Sequence, residues 1–520
     1  MTATLPVQLV APTTAPTRIA VREPKPSRIR RSIAPISVGL FALALSLVTI
    51  AVPSVWYDEA ATITSATRSW QQLWAEVGNV DAVHALYYAV MHVVFDVFGY
   101  SPFILRAPSA VAIGIAAAFV VVLGRQLGRE RMAIIAGITF SLLPRVTWAS
   151  GEGRSYAATA AAAIVLTVLF VHALKAGSRR AWIAYAAMVV LSCVLFIYLA
   201  LIVLAHAITI ARLIATRPAR RVWPWRTAAW QPWLVATASA GLLLVPFAFF
   251  SLAQKSQINW IDPLSLLTLR QVFLDQWFFT SVPFAIAGWI GIVAGTALIV
   301  RSRGSDRRAG VLVPLVFVPT AALIVASALA FPVYTPRYLS MCLPFVAVVI
   351  AIAIDAVRMR GAAVVALSLI ALLALPQIIS QRVPEAKEYS SWAGVAGYLT
   401  EQRAAAGPDS TAAIVYGTVQ RHPTASARVM AYAYPDAFTG TVDLTIGTPA
   451  AETGELWETR RALASVVPTL RLQQADVVYL ITSKSRDQRP AVTQILAAKG
   501  WTLSAAKSLS EVNVLTYERR

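Results

Sequence analysis

Apolar stretches of near-span length recur at about 33–55, 107–124, 132–149, 156–174, 181–196, 198–214, 231–251, 282–300, 310–330, 338–357 and 361–380. Short polar connections separate them. About 20 helical residues cross a hydrocarbon core of about 30 Å, so the pattern predicts about eleven transmembrane helices. The run Ala181 to Ala211 overshoots one crossing and is split near Tyr198. From Glu385 the pattern changes. Trp392 to Ala406 predicts a helix, and helical stretches lie near 455–474 and 487–499. Ala412 to Tyr416, Val442 to Ile446, Val477 to Thr482 and Val512 to Tyr517 predict strands. The expected fold class is a polytopic α-helical membrane protein with a C-terminal α/β domain. Its parts are a disordered tail (1–32), a membrane domain (33–384) with a long loop carrying surface helices (56–106), and a terminal domain (385–520).

Charge sets the orientation. The tail and the connections at 125–131, 175–180, 212–226, 301–308 and 355–360 hold 23 Lys and Arg against 4 Asp and Glu. The remaining membrane-proximal positions up to Arg382 hold 8 of each. Cytoplasmic loops carry the Lys/Arg excess. The N-terminus is therefore expected in the cytoplasm, and the 56–106 loop and terminal domain outside it, at the plasma membrane. The same test decides the apolar segment Val83 to Gly99. Counted as a span, it would reverse every later loop, so it is read as a helix lying in the interface.

Composition agrees. Of 520 residues, 58% are hydrophobic and 13% charged, and mean hydropathy is +0.64. The net charge of +20 is mostly this cytoplasmic excess and gives no reason to expect nucleic acid. Cys193 and Cys342 both fall in apolar spans, which supports neither a disulfide framework nor a thiolate metal site.

Chemistry-bearing residues collect on the outer side. Trp56-Tyr57-Asp58-Glu59-Ala60 sets two adjacent carboxylates where the first span ends. Ser65 to Val77 predicts a short helix whose Trp70 and Trp74 suit anchoring at the headgroup level. Asp81-Ala82-Val83-His84 follows, then Leu86-Tyr87-Tyr88. Gly151-Glu152-Gly153-Arg154-Ser155-Tyr156 closes the third span. Glu152 and Arg154 could pair with each other, or Arg154 could offer its fork of donors to a phosphate. The loop Gln254 to Ser281 carries Lys255, Trp260, Asp262, Arg270 and Asp275, enough to cover a groove. Tyr334-Thr335-Pro336-Arg337-Tyr338-Leu339 opens a late span, where Arg337 could snorkel or bind an anion. No P-loop, Ser/His/Asp triad or zinc motif is visible, and the C-terminal region has no readable site.

A carboxylate among cations at a lipid boundary suits transfer of a sugar from a polyprenyl phosphate. The phosphate is already a good leaving group, so one carboxylate taking the acceptor's proton suffices, with cations stabilising the departing phosphate. The ordered set WYDEA, NVDAVHALYY, FILRAPSA, GEGRSYA and TPRYL over residues 33–380 resembles the GT-C glycosyltransferases. Within them it is similar to the protein O-mannosyltransferase-like and aminoarabinose-transferase-like branch, and to actinobacterial mannosyltransferase-like membrane proteins. The resemblance implies an inverting transferase acting outside the cytoplasm on a polyprenyl-monophosphate-linked sugar, with mannose the expected sugar. The acceptor would be a lipoglycan, cell-wall glycan or protein. It implies Asp58 as general base, with Glu59 as supporting or alternative carboxylate. It places His84, Arg154, Tyr156, Arg337 and Tyr338 at the donor phosphate or substrate, and Lys255 is added from the loop above. His84 precedes Ala-Leu-Tyr-Tyr where the family has Pro-Pro-Leu. No obligatory metal is expected, because one adjacent acidic pair is a thin ligand set for Mg²⁺ or Ca²⁺. The other reading of such a chain is a transporter or flippase of lipid-linked glycans.

Overall fold

The computed structural model describes residues 28–216, 229–302, 309–420, 422–466, 472 and 474–519. Most of the expected tail, and most of the basic connections 212–226 and 301–308, lie outside the described residues.

The apolar stretches form helices: α1 (Arg28–Leu47), α5 (Pro102–Leu127), α6 (Glu130–Leu142), α7 (Pro144–Ser150), α8 (Tyr156–Ala176), α9 (Arg179–Leu195), α10 (Ala200–Thr216), α11 (Trp230–Ala253), α14 (Val282–Arg301), α15 (Leu312–Leu329), α16 (Leu343–Ala356) and α17 (Ala362–Ser380). Among the described residues eight helical segments are long and apolar enough to cross a membrane, and a ninth forms if α6 and α7 count as one bent span. Two more of the eleven expected stretches form helices below that length, α9 of 17 residues and the apolar part of α1, Ser32–Leu47. The first stretch departs from its expected extent. Helix α1 ends at Leu47, and the chain continues through Thr49 at φ 51° and irregular backbone to Trp56. The α6–α7 pair bends by 64° at Leu143. Pro144 supplies no amide hydrogen and pushes the residue before it out of helical backbone, and Leu143 is extended accordingly.

Close packing in the bundle depends on missing side chains. A Cβ on Gly295 of α14 would lie 2.1 Å from the Val349 carbonyl oxygen of α16. The two backbones meet only because that Cβ is absent.

At one end of the bundle lie α2 (Tyr57–Ala66), α3 (Trp70–Asn79) and α4 (Ala85–Phe98). Helix α3 starts five residues later than expected, capped by Ser69 and Gln72 in a reciprocal box. Trp70 and Trp74 are exposed on it and stack with each other. Helix α4 has 14 residues, too few to span.

After α18 (Trp392–Ala406) the chain builds a five-stranded sheet from β1 (Ala412–Tyr416), β4 (Val442–Asp443), β5 (Val477–Ser483), β6 (Trp501–Ser508) and β7 (Val512–Arg519). The order is β4-β1-β5-β7-β6. Strand β1 pairs in parallel with β4 and β5, while β7 runs antiparallel to β5 and β6. A separate hairpin joins β2 (Thr418–Val419) and β3 (His422–Ser426). Strand β6 and this hairpin were not expected: most of β6 is exposed and carries little apolar pattern. The helix expected near 455–474 is reduced to the short turn Leu463–Val466, and 467–471 lie outside the described residues. One face of the sheet buries Val415, Val478, Leu480 and Trp501. The other buries Ile414, Tyr416, Tyr479 and Ile481 in one apolar core with Trp392, Leu399 and residues of α2 and α4. The C-terminal domain therefore shares its core with the 56–106 loop.

Candidate active site

Adjacent carboxylates in the first turn of α2 point in different directions, because successive helical residues diverge by about 100°. Asp58 faces the membrane-domain helices. The Arg337 guanidinium donates from Nη1 to Asp58 Oδ2 at 2.5 Å. The side chains remain 15% and 18% exposed, so the pair borders open space. Glu59 faces inward and is wholly buried. Arg106 donates to it from Nε at 2.8 Å and Nη2 at 2.7 Å, the Gly153 amide donates at 2.9 Å, and Lys387 Nζ lies at 3.3 Å. Burial alone would raise the Glu59 carboxyl, but Arg106 and Lys387 outweigh it and hold it below the usual carboxylate range. Arg106 has no exposed surface. It also donates to the carbonyls of Ile50, Pro53 and Ser54, fixing the irregular stretch after α1.

Loop 151–155 is buried, so its polar groups need partners inside the protein. Thr62 of α2 donates to the Gly153 carbonyl and Ser109 of α5 to the Glu152 carbonyl. The two glycines serve close approach here. A Cβ on Gly153 would lie 2.7 Å from the Leu105 side chain. Glu152 and Arg154 do not pair with each other. Glu152 binds Lys387 through Oε1 and accepts from Trp56 Nε1 at 3.0 Å through Oε2. Arg154 turns the other way. Its Nη1 donates to the Tyr88 hydroxyl at 2.8 Å, which in turn donates to Asp81 at 2.7 Å. Its Nε is buried with no hydrogen-bond partner among the described residues.

His84 is half-buried at the end of the turn Ala82–His84, and its Nδ1 also lacks a partner. Burial, then the Arg154 and Arg337 cations, hold its imidazole well below the ordinary range, so it is neutral near pH 7. Tyr156 begins α8 and packs on Trp148. Tyr338, beside Arg337 in the 3-10 turn Pro336–Cys342, stacks on Tyr198 at 5.0 Å.

Asp58 and Arg337 are thus in direct contact, and the Arg154 and Arg337 charges both act on His84 and Tyr156. Lys255 is separate. It is exposed on the turn Lys255–Ile258 and bonds to none of the other expected residues. Its loop reaches the site through Trp260, whose ring lies 4.5 Å from the Arg337 guanidinium. Sequence reasoning also missed Lys387, 235 positions from Glu152 along the chain, for which no local signal exists. Among the described residues no three His, Cys, Asp or Glu side chains converge as a metal would require. Asp58 and Glu59 are each already paired with a cation and do not form a joint ligand pair.

No family model and no curated protein matches the sequence. Solved structures do. ArnT from Cupriavidus metallidurans, bound to undecaprenyl phosphate, aligns with a TM-score of 0.54 at 14% identity, covering 94% of this chain and 98% of ArnT. Its apo form gives 0.55 at 13%, with the same coverage. The chain has a GT-C membrane fold. The oligosaccharyltransferase AglB from Archaeoglobus fulgidus, in complex with an inhibitory peptide and a dolichol-phosphate, gives 0.48 at 12%, covering 88% of this chain and 70% of AglB.

Proposed function

We propose that this chain is an inverting glycosyltransferase that moves a sugar, mannose in the first instance, from a polyprenyl monophosphate to a glycan, glycolipid or protein acceptor. The observation that carries the reading is the Asp58–Arg337 contact. It joins the first and last outer motifs, 279 residues apart, beside an Arg154 with an unused buried donor. The fold shared with an ArnT structure that holds undecaprenyl phosphate supports it.

The donor phosphate sits between Arg154 and Arg337, and the prenyl chain runs between spans. The donor phosphate, a diester, carries one negative charge as Asp58 does, but its two free oxygens fit the guanidinium fork and a second charge builds on it as it departs, so it draws Arg337 away from Asp58. The freed carboxylate accepts the acceptor hydroxyl's proton as that oxygen bonds to the anomeric carbon. The bond from that carbon to the phosphate oxygen breaks, and its electron pair leaves with the polyprenyl phosphate. Attack opposite the leaving group inverts the anomeric centre. His84, being neutral, contributes a hydrogen bond. Glu59 is a scaffold carboxylate that fixes the helix bearing Asp58. The site and the C-terminal domain face away from the cytoplasm, in keeping with the Lys/Arg asymmetry.

The test is transfer of labelled mannose from polyprenyl-phosphate mannose by purified protein, with host membrane extract as acceptor, wild type beside Asp58→Asn. Transfer that falls by a factor on the order of 10² or more in folded Asp58→Asn is expected. Equal transfer by both refutes the base. Binding of donor lipid without transfer from any sugar moves the flippase reading ahead.

A further inference from the structure

The Lys387 ammonium, at the entry to the C-terminal domain, touches both arms of the site. It is buried. It donates to the Gly151 carbonyl at 2.6 Å, pairs with Glu152, and lies 3.3 Å from Glu59. Glu59 is the neighbour of Asp58, and Glu152 stands two residues before Arg154. The chain after Lys387 is fastened as firmly. Ser390 donates to the Val55 carbonyl at 2.6 Å, the Ala393 amide donates to Ser54 Oγ at 3.1 Å, and the Ser54 amide donates to the Pro384 carbonyl at 2.7 Å. Between these ties Glu388 and Tyr389 take φ of 49° and 62°. Side chains rarely adopt that region, and it persists only where the surroundings over-determine the backbone.

The seam beside Lys387 is packed. Trp56, Tyr57, Trp392 and His422 line it and leave about 20 Å³, room for about one water. Tyr57, the residue before Asp58, stacks on His422 at 3.4 Å and accepts from Trp457 Nε1 at 2.9 Å. This surface holds rather than binds. The buried cluster sets two carboxyl groups, Glu59 and Glu152, against two cations, Arg106 and Lys387.

We propose that Lys387 is a positioning residue for glycosyl transfer, holding the Asp58 helix and the Arg154 loop in register and linking both to the C-terminal domain. The role rests on the transferase reading above. Without Lys387, Glu152, whose carboxyl burial already raises, takes up a proton, the tie that holds the Gly151 carbonyl and Glu152 to Glu59 is lost, and loop 151–155 moves from α2. A displacement of about 1 Å at a catalytic group can cost about a hundredfold in rate.

The experiment compares wild type, Lys387→Met and Lys387→Met/Glu152→Gln in full-length protein. It reads kcat, donor KM and hydrogen exchange of the Gly151–Ser155 amides. Lys387→Met is expected to lower kcat at least about tenfold and raise donor KM, with faster exchange in the loop. The double variant, which needs no proton at that position, is expected to return to within a few-fold of wild type. A Lys387→Met protein with reduced thermal stability but unchanged kcat and KM per folded molecule overturns the proposal, as does a double variant no better than the single. If Lys387→Met does not fold, the double variant decides alone. If wild type transfers nothing, the transferase reading fails separately and the exchange data judge the linkage: unchanged loop exchange refutes it, and faster exchange restored in the double variant upholds it.

Discussion

Substituting the adjacent carboxylates Asp58 and Glu59 should give opposite results. Glu59→Gln keeps the shape but removes the charge, and turns an amide NH₂ toward a guanidinium that can only donate. Arg106, with no exposed surface, loses the charge opposite it and one of its two bonds to that side chain, and the Gly153 amide loses its acceptor if the amide group flips. Removing one partner of a buried pair costs about 3–5 kcal/mol. That is a large share of a net stability of about 5–15 kcal/mol. Asp58 has one ion pair, and both partners keep some solvent contact. Asp58→Asn should cost about 1 kcal/mol or less. The assay is denaturant unfolding in detergent, followed by tryptophan fluorescence, beside sugar transfer by the folded fraction. Glu59→Gln should lower stability and leave measurable transfer in what folds, whereas Asp58→Asn should keep stability and lose transfer. A Glu59→Gln protein within about 1 kcal/mol of wild type would show that the Arg106 network does not anchor α2. Greater destabilisation by Asp58→Asn would reverse the two roles.

Three further results are expected. Arg337→Lys keeps the charge but loses the planar fork and its stacking on Trp260; donor KM should rise about tenfold, and an unchanged KM would argue against phosphate binding there. Burial holds the Glu76 carboxyl up at about 7 despite Arg68 and the Ser65 hydroxyl. The folded state then binds more protons than the unfolded between about pH 4.5 and 7, so stability should fall as pH rises through that window, by up to about 3 kcal/mol; Glu76→Gln should flatten this slope in unfolding measured across pH. Gly295→Ala would press its Cβ against the Val349 carbonyl, where neither backbone can yield; a loss of about 1–3 kcal/mol should appear as a lower unfolding temperature, and an unchanged one would refute the close contact.

The apolar helices, the short α4, and strands β1, β5 and β7 were legible because each writes its burial into the local pattern. Strand β6 was not, since most of its side chains are exposed, and the end of α1 was misplaced because Val48 to Val55 stays apolar without being helical. In the site, the motifs carrying Asp58, Arg154 and Arg337 were legible as charges at span ends. Their partners were not. Of the two alternatives open for Arg154, pairing with Glu152 does not occur, since Glu152 faces Lys387, and in the 254–281 loop it is Trp260 that touches Arg337.

Sequence by itself determined that this is a membrane chain with a C-terminal α/β region and charged residues at the ends of its apolar stretches. Those features follow from transfer energies, which each segment meets on its own. Only the tertiary structure decided which of two neighbouring carboxylates keeps solvent contact and which is locked. That choice depends on where Arg106, Lys387 and Arg337 arrive from α5, the domain entry and a late span. Such long-range contacts have no period in the chain, because the geometry that makes them exists only once the helices have packed.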